Sequence, residues 1–117
     1  MSVEYTIVHR DALGAIGDDF EFQGFAHGGA RVSFISVDTT ELGAGPRLHR
    51  HPYEEVFIIQ EGRARYTVGE ATLEAGAGQI IVVPPNTPHK FANLGPGRLR
   101  QVDIHVSERF ITEWLED

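Results

Sequence analysis

The chain has 117 residues and a formal net charge of −7, a size that suits one domain with one hydrophobic core. The negative charge argues against nucleic acid as a partner. The absence of cysteine excludes disulfides and thiolate metal sites. No signal segment opens the sequence, and the longest apolar run, 80–83, is too short to span a bilayer. We therefore expect a cytoplasmic protein that acts on neither nucleic acid nor membranes.

Short segments of alternating apolar and polar residues predict β-strands separated by Gly, Pro and Asn turns. The first part of the chain is predicted to hold strands at 3–7, 20–25 and 32–37, with a loop over 13–19. Further strands are predicted at 56–60, 64–68, 71–73, 79–83, 89–93 and 99–106. Short strands at this interval are typical of an antiparallel sandwich or barrel, so the fold class is all-β.

The last eleven residues show a different pattern. Ser107 is a suitable helix N-cap, and Glu108 suits the first turn of a helix. Four apolar residues then follow at helical spacing, namely Phe110, Ile111, Trp114 and Leu115. The pattern predicts a short C-terminal α-helix that lays this stripe on the body of the protein or on a second subunit.

Candidate metal ligands cluster in the middle of the chain. His49 and His51 are two residues apart, so on an extended segment both side chains project from the same face. Glu55 follows after a bend at 52–53 and can come back beside them if the chain turns into a neighbouring strand. His89 follows a proline-rich turn and is the natural fourth partner.

The same residues fit two sequence motifs of a known family. The first motif, G-x5-H-x-H-x3-E-x6-G, is matched with every spacing kept by Gly43, His49, His51, Glu55 and Gly62. The second, G-x5-P-x-G-x2-H-x3-N, is matched by Gly78, Pro84, His89 and Asn93, with Asn86 where the family has glycine. Asparagine tolerates left-handed backbone angles, so the turn can still form with asparagine in place of glycine. The chain therefore resembles a small single-domain cupin.

The resemblance implies a jelly-roll barrel over residues 1–117, with the two motifs at 43–62 and 78–93 and a metal inside. Three imidazoles and one carboxylate would bind a divalent ion, and iron, manganese, nickel, cobalt, copper and zinc all remain possible. The alternative is a cupin that keeps these residues as satisfied polar groups and binds no metal.

The last predicted strand, 99–106, has two different faces. Val102, Ile104 and Val106 alternate with Gln101, Asp103 and His105. The pattern alone favours the apolar face inward, whereas the cupin resemblance implies that the polar face lines the pocket. In the second case His105 is the candidate proton carrier and Asp103 its orienting partner, with Gln101 contacting the substrate.

Other residues are candidates for the pocket wall. Phe57, Tyr66 and Phe91 are expected to contact the substrate or simply to pack in the core. Arg47 lies two residues before His49 and could meet an anionic ligand or form a salt bridge at the rim.

Two functions remain open at this point. The first is a small metal-dependent enzyme, of the dioxygenase class or the isomerase and lyase class, acting on a small chelating substrate. The second is a non-catalytic cupin that uses the pocket to bind a small ligand or a metal. The resemblance also implies a homodimer that pairs through sheet edges and residues 3–9, because pairing would close exposed strand edges.

Overall fold

The protein is described by a computed structural model over residues 4–16 and 19–117. The strands are β1 (Gly14–Ile16), β2 (Asp19–Gln23), β3 (Ser33–Thr39), β4 (His49–Arg50), β5 (Glu55–Glu61), β6 (Arg63–Val68), β7 (Ala71–Gly76), β8 (Ile80–Val83), β9 (His89–Asn93), β10 (Leu99–His105) and β11 (Glu113–Trp114). Two single-turn 3₁₀ helices lie at Arg10–Ala12 and Gly24–Ala26. The predicted all-β fold class is confirmed.

The strands form two antiparallel sheets. One sheet has the order β1-β2-β3-β10-β5-β8, and the other has the order β11-β4-β9-β6-β7. Chain neighbours such as β4 and β5 belong to different sheets, so the chain crosses repeatedly between the two layers. This arrangement is consistent with the jelly-roll expected from the resemblance.

The core lies between the sheets and follows from the alternation along each strand. On β5, Phe57 and Ile59 are buried, while Ile58 between them is only partly buried. Tyr66 on β6, Phe91 on β9 and Leu99 on β10 contribute further buried side chains to the same cluster. Burial of alternate residues is the direct consequence of the two-residue period of a strand.

Two turns require residues that can adopt a positive φ angle. Gly62 joins β5 to β6 with a φ of +84°, and a Cβ at this position would lie 2.2 Å from the backbone oxygen of Arg98. Asn86, which replaces the glycine of the second motif, has a φ of +62°. The prediction that asparagine would adopt the left-handed conformation here is confirmed.

The C-terminal helix prediction was wrong. Residues 107–117 contain no helix, and Glu113–Trp114 form β11, which pairs with β4 through Trp114 and His49. The backbone amide of Leu115 also donates to the carbonyl of Leu48 at 2.9 Å. A segment of about ten residues is a marginal helix by itself, and the free edge of β4 offers its backbone hydrogen bonds instead.

The N-terminal predictions also need correction. Residues 4–9 form no strand, and Val3 of the predicted strand lies outside the described residues. Gly14–Ile16 form β1 where a loop was predicted, and residues 17–18 of that loop are likewise outside the description. Within the described part of the chain, no helix has the length and apolar character needed to cross a membrane.

Candidate metal centre

Strand pairing brings the four candidate ligands together. His49 on β4 is directly opposite His89 on β9, in one sheet. Glu55, the first residue of β5, belongs to the other sheet, where it is opposite His105 on β10. Opposed residues have their Cβ atoms about 5 Å apart, so each pair is in contact. The candidate centre therefore bridges the two sheets.

The four side chains are buried and converge on one point. One potential ligand atom from each of His49, His51, Glu55 and His89 lies within 4.8 Å of the others. Glu55 Oε1 is 2.8 Å from His89 Nε2 and 3.1 Å from His51 Nε2. The positions that the sequence predicted are thus assembled as a single cluster.

Backbone carbonyls determine which imidazole nitrogen faces the cluster. The Nδ1 atoms of the three histidines approach the carbonyls of Arg47, Ile111 and Thr87, at 2.6 Å for His49, 2.9 Å for His51 and 2.8 Å for His89. A carbonyl can only accept, so a neutral imidazole at each position carries its proton on Nδ1. The Nε2 lone pairs then point inward, as metal-ligating histidines do.

This arrangement fits a cation. With Nδ1 protonated, lone pairs of His89 and Glu55 face each other at 2.8 Å, and His51 Nε2 is buried without a hydrogen-bond partner among the described residues. Such a cluster needs a proton or a metal ion between its acceptors. The donor set of three nitrogens and one oxygen suits a divalent transition metal.

The surroundings also shift the acidity of these groups. Burial, with the neighbouring imidazoles of His89 and His51, lowers the pKa of His49 to about 4, so this ring stays neutral. Burial opposes ionisation of Glu55, but the imidazoles of His105, His51 and His89 outweigh it and hold the pKa of Glu55 below its ordinary value. The centre thus has a neutral ligand beside an ionised one.

A comparison with protein families identifies the fold. Residues 36–105, more than half of the chain, match the family described as the cupin domain. The chain belongs to the cupin family. An uncharacterized protein of Streptomyces coelicolor is 32% identical over 66% of this chain and 80% of its own length.

Other relatives share shorter parts of the chain. An uncharacterized protein of Methanocaldococcus jannaschii is 40% identical over 46% of this chain, which spans only 44% of that relative. The polyketide synthase CurC of Streptomyces cyaneus is 31% identical over 68% of this chain and 51% of its own length.

Solved structures agree with the cupin fold. An oxalate decarboxylase of Bacillus subtilis aligns over 88% of this chain and 29% of its own, with a TM-score of 0.74 and 23% identity. An oxalate oxidase aligns over 82% of this chain and 53% of its own, with a TM-score of 0.71 and 19% identity. One structure of the decarboxylase is described for its Mn(II) centres.

The structure decides between the two faces of β10. Gln101, Asp103 and His105 are buried and point inward, whereas Val102 and Ile104 are only partly buried on the outer face. Asp103 and His105 line the cavity beside the cluster. Gln101 lies one layer deeper, where it accepts from the hydroxyl of Tyr66 and donates to Asp103 at 2.7 Å. Gln101 is not among the described residues that line this cavity, and its contact with a substrate stays a prediction.

The partner of His105 also differs from the prediction. His105 Nδ1 is 2.7 Å from the hydroxyl of Tyr53, and its Nε2 lies 3.1 Å from Glu55 Oε2. The carboxyl group of Asp103 is bonded to Gln101 instead, and burial followed by the nearby charge of Glu55 raises the pKa of Asp103 well above its usual range. Tyr53 rather than Asp103 orients His105.

The predicted wall residues divide into two groups. Phe57 and Phe91 line the cavity, while Tyr66 is completely buried behind it and belongs to the core. Arg47 is exposed and does not reach the cavity, because its guanidinium lies over the ring of Trp114, 4.5 Å from the ring centroid. For Tyr66 this position fits the alternative of core packing, and the contact of either Tyr66 or Arg47 with a bound ligand stays a prediction.

Sequence reasoning missed the contribution of Tyr53 and of the C-terminal segment. The ring of Tyr53 stacks on that of His51, with centroids 4.9 Å apart. The ring of Trp114 packs against His49 at 5.1 Å, and that of Phe110 against His105 at 4.8 Å. The position of Tyr53, two residues after His51, was a usable signal, since it places the tyrosine beside the same cluster.

The cluster opens into a cavity of about 640 Å³ between the two sheets. Its wall combines residues of β2 and β3, the loop at 44–46, three of the four candidate ligands (His49, His51 and Glu55) and the C-terminal segment. A volume of this size is sufficient for a small organic ligand. The structure therefore places the candidate metal ligands at the end of a ligand-sized space.

Proposed function

We propose that this chain is a single cupin domain over residues 1–117 and a metal-dependent enzyme. In this proposal His49, His51, Glu55 and His89 hold one divalent ion, which supplies a Lewis acid or redox centre when bound. The observation that carries the proposal is the convergence of inward Nε2 lone pairs on a buried carboxylate, with every Nδ1 atom engaged by a backbone carbonyl. Without a bound cation these acceptors repel one another.

The donor set of three imidazoles and one carboxylate is compatible with several divalent metals. The Mn(II) centres named for the structurally similar oxalate decarboxylase support manganese as the first ion to test. Iron, cobalt, nickel, copper and zinc are also compatible with three imidazoles and one carboxylate. The protein residues would orient the ligand around the ion and exclude water from the buried side of the site.

An enzyme is favoured over a binding module by the position of His105. Its Nε2 is buried beside Glu55 without a hydrogen-bond partner among the described residues, and the ring lines the cavity. Because Nδ1 accepts from the Tyr53 hydroxyl, a neutral His105 carries its proton on Nε2, and it can donate that proton to a bound ligand and take it back. The Tyr53 hydroxyl at Nδ1 holds the ring in place. Asp103 lies in the same wall and is a second candidate for proton transfer.

Elemental analysis of purified variants tests the metal site. His49→Ala and His89→Ala are each expected to lose most of the bound metal, because each removes one of four ligands. His9→Ala is the matched control, since His9 is exposed and outside the cluster. Full metal content in both site variants would show that the assigned ligands are wrong.

A second variant tests catalysis separately from metal binding. The metal-loaded protein is screened for turnover of small oxygen-chelating compounds, with oxygen uptake as one readout. His105→Gln is expected to keep its metal and to lose activity by a factor of about 10² or more. Binding of such compounds with no turnover by the wild type would favour the alternative, a non-catalytic ligand-binding cupin.

We also propose a homodimer. Residues 4–9 are without a strand partner in the described chain, and the side chains of Tyr5 and Ile7 are about four-fifths exposed, at 80% and 83%. Pairing of this segment with a second copy would cover both. Size-exclusion chromatography should therefore show a dimer, and a monomer at micromolar concentration would contradict the proposal.

A further inference from the structure

The wall of the cavity is mainly apolar. Ile35 and Val37 of β3 form one side. Aromatic rings form much of the remainder, from Phe57, Phe91, Phe110 and Trp114. Rings and branched aliphatic side chains offer van der Waals contact to a flat apolar ligand, and they offer nothing to a strongly hydrated anion. The shape and polarity of this wall already restrict the ligand.

The charged groups of the wall are all acidic. Five acidic side chains line the cavity, from Glu21, Asp38, Glu41, Glu55 and Asp103. Burial, followed by the charge of Glu55, raises the pKa of Asp103, so only the other four are counted as charges. No lysine or arginine is part of this wall in the described ranges, and residues 1–3 and 17–18 contain neither residue type. A dianionic ligand that enters this cavity would meet carboxylates, and no lysine or arginine of the described residues faces it.

The arginine and lysine side chains near the cavity contact other groups or line another pocket. Arg98 binds Asp38 with two hydrogen bonds, of 2.7 and 2.9 Å, from outside the cavity. Arg47 covers Trp114, and it lines a separate, smaller pocket together with Arg65 and Lys90. Recognition of a carboxylate pair normally uses an arginine or lysine that faces the ligand. Among the described residues, no arginine or lysine faces this cavity, so a bound metal ion would be the cation that a ligand meets.

We infer that the site takes an uncharged, mainly apolar ring compound that offers two oxygen donors to the metal ion, and that it selects against a small dianion such as oxalate. The inference rests on the proposed function, because the metal ion provides the anchoring point for the two oxygens. The apolar wall would hold the ring, and the acidic groups would repel a ligand with further negative charge. A cavity of about 640 Å³ also leaves most of its wall uncovered around oxalate.

Isothermal titration calorimetry under anaerobic conditions tests this selection. The probes are 4-tert-butylcatechol, which is uncharged at neutral pH, and oxalate, each titrated into Mn(II)-loaded and metal-free protein. The catechol should bind the loaded protein at least about tenfold more tightly than oxalate, a difference of about 1.4 kcal/mol. Equal affinity or tighter binding of oxalate would overturn the inference.

The metal-free protein separates the two possible failures. If elemental analysis shows that manganese does not load, the proposed function fails, whereas the cavity should still prefer the catechol over oxalate through its apolar wall. If manganese loads but the catechol does not bind, the proposed metal site stands and the ligand inference is wrong. Preference for oxalate by the metal-free protein would likewise count against the inference.

A charge variant provides a second test. Val37→Lys places a cation in the cavity wall and should raise the affinity for oxalate about tenfold or more while weakening catechol binding. Val82→Lys is the matched control, since Val82 is 62% exposed on β8 and is outside the wall. Thr39→Lys repeats the test at another wall position if Val37→Lys does not fold. Unchanged oxalate affinity in a folded wall variant would show that charge does not select the ligand.

Discussion

Replacing Tyr53 by phenylalanine should destabilise the protein although no apolar atom is lost. The Tyr53 hydroxyl accepts from the backbone amide of Ile111 at 3.3 Å, so its own proton is free to point at His105 Nδ1, 2.7 Å away. Burial raises the pKa of Tyr53 to about 12, so this hydroxyl keeps its proton at neutral pH. Tyr53→Phe would therefore leave the buried imidazole nitrogen without its partner.

The size of the effect follows from that missing partner. An unsatisfied buried polar atom costs about 1–3 kcal/mol of stability. The unfolding entropy of a 117-residue domain is about 0.25 kcal/mol per kelvin, so the midpoint should fall by about 4–12 °C. Circular dichroism during heating of metal-free protein measures this change directly.

The chain offers a matched control for this substitution. Tyr5 is 80% exposed, so Tyr5→Phe should change stability by no more than about 0.5 kcal/mol. A Tyr53→Phe midpoint equal to that of Tyr5→Phe would refute the reasoning, because it would mean that the hydroxyl does not hold His105. In that case the orientation of His105 would have to come from packing against the ring of Phe110.

Two further outcomes follow from the structure. Because burial lowers the pKa of His49 from 6.5 to about 4, the unfolded chain binds more protons between these values. The stability of the metal-free protein should therefore fall as the pH drops from about 6.5 towards 4, by up to about 1.4 kcal/mol per pH unit from this group. Urea unfolding at several pH values should show a smaller slope for His49→Gln and an unchanged slope for His9→Gln. Gly45→Ala should cost at least about 2–3 kcal/mol, because its Cβ would lie 1.8 Å from the carbonyl oxygen of Phe91. Gly14→Ala, with its nearest contact at 3.5 Å, should have a midpoint in urea close to the wild type, and equal midpoints for the two variants would contradict the close approach.

The metal ligands were the easiest part to predict because their spacing is local. His49 and His51 share a face through the period of a strand, and the framing glycines and proline place Glu55 and His89 at fixed offsets. The same local information predicted most of the strands after residue 55, where short apolar runs or alternating segments are separated by Gly, Pro and Asn turns. Asn86 could likewise be assigned its left-handed conformation from its position in the motif.

Predictions based on local pattern failed where two structures competed for the same residues. The C-terminal apolar stripe has helical spacing, but the edge of β4 and the rings of His49 and His105 provide contacts that a short helix cannot match. On β10, the alternation of apolar and polar residues could not show which face is inside. The polar face is buried because Gln101, Asp103 and His105 find partners there, in Tyr66, Gln101 and Tyr53 respectively.

The sequence by itself determined the all-β class, the cupin motifs and the four candidate ligands, because each depends on the spacing of residues close together in the chain. Only the tertiary structure decided that Tyr53 holds His105, that the C-terminal segment covers the cluster, and that the cavity wall contains carboxylates without a lysine or arginine in the described residues. These features depend on contacts between residues more than fifty positions apart, such as His51 with Ile111. Such contacts arise from the packing of two sheets, which no local pattern specifies.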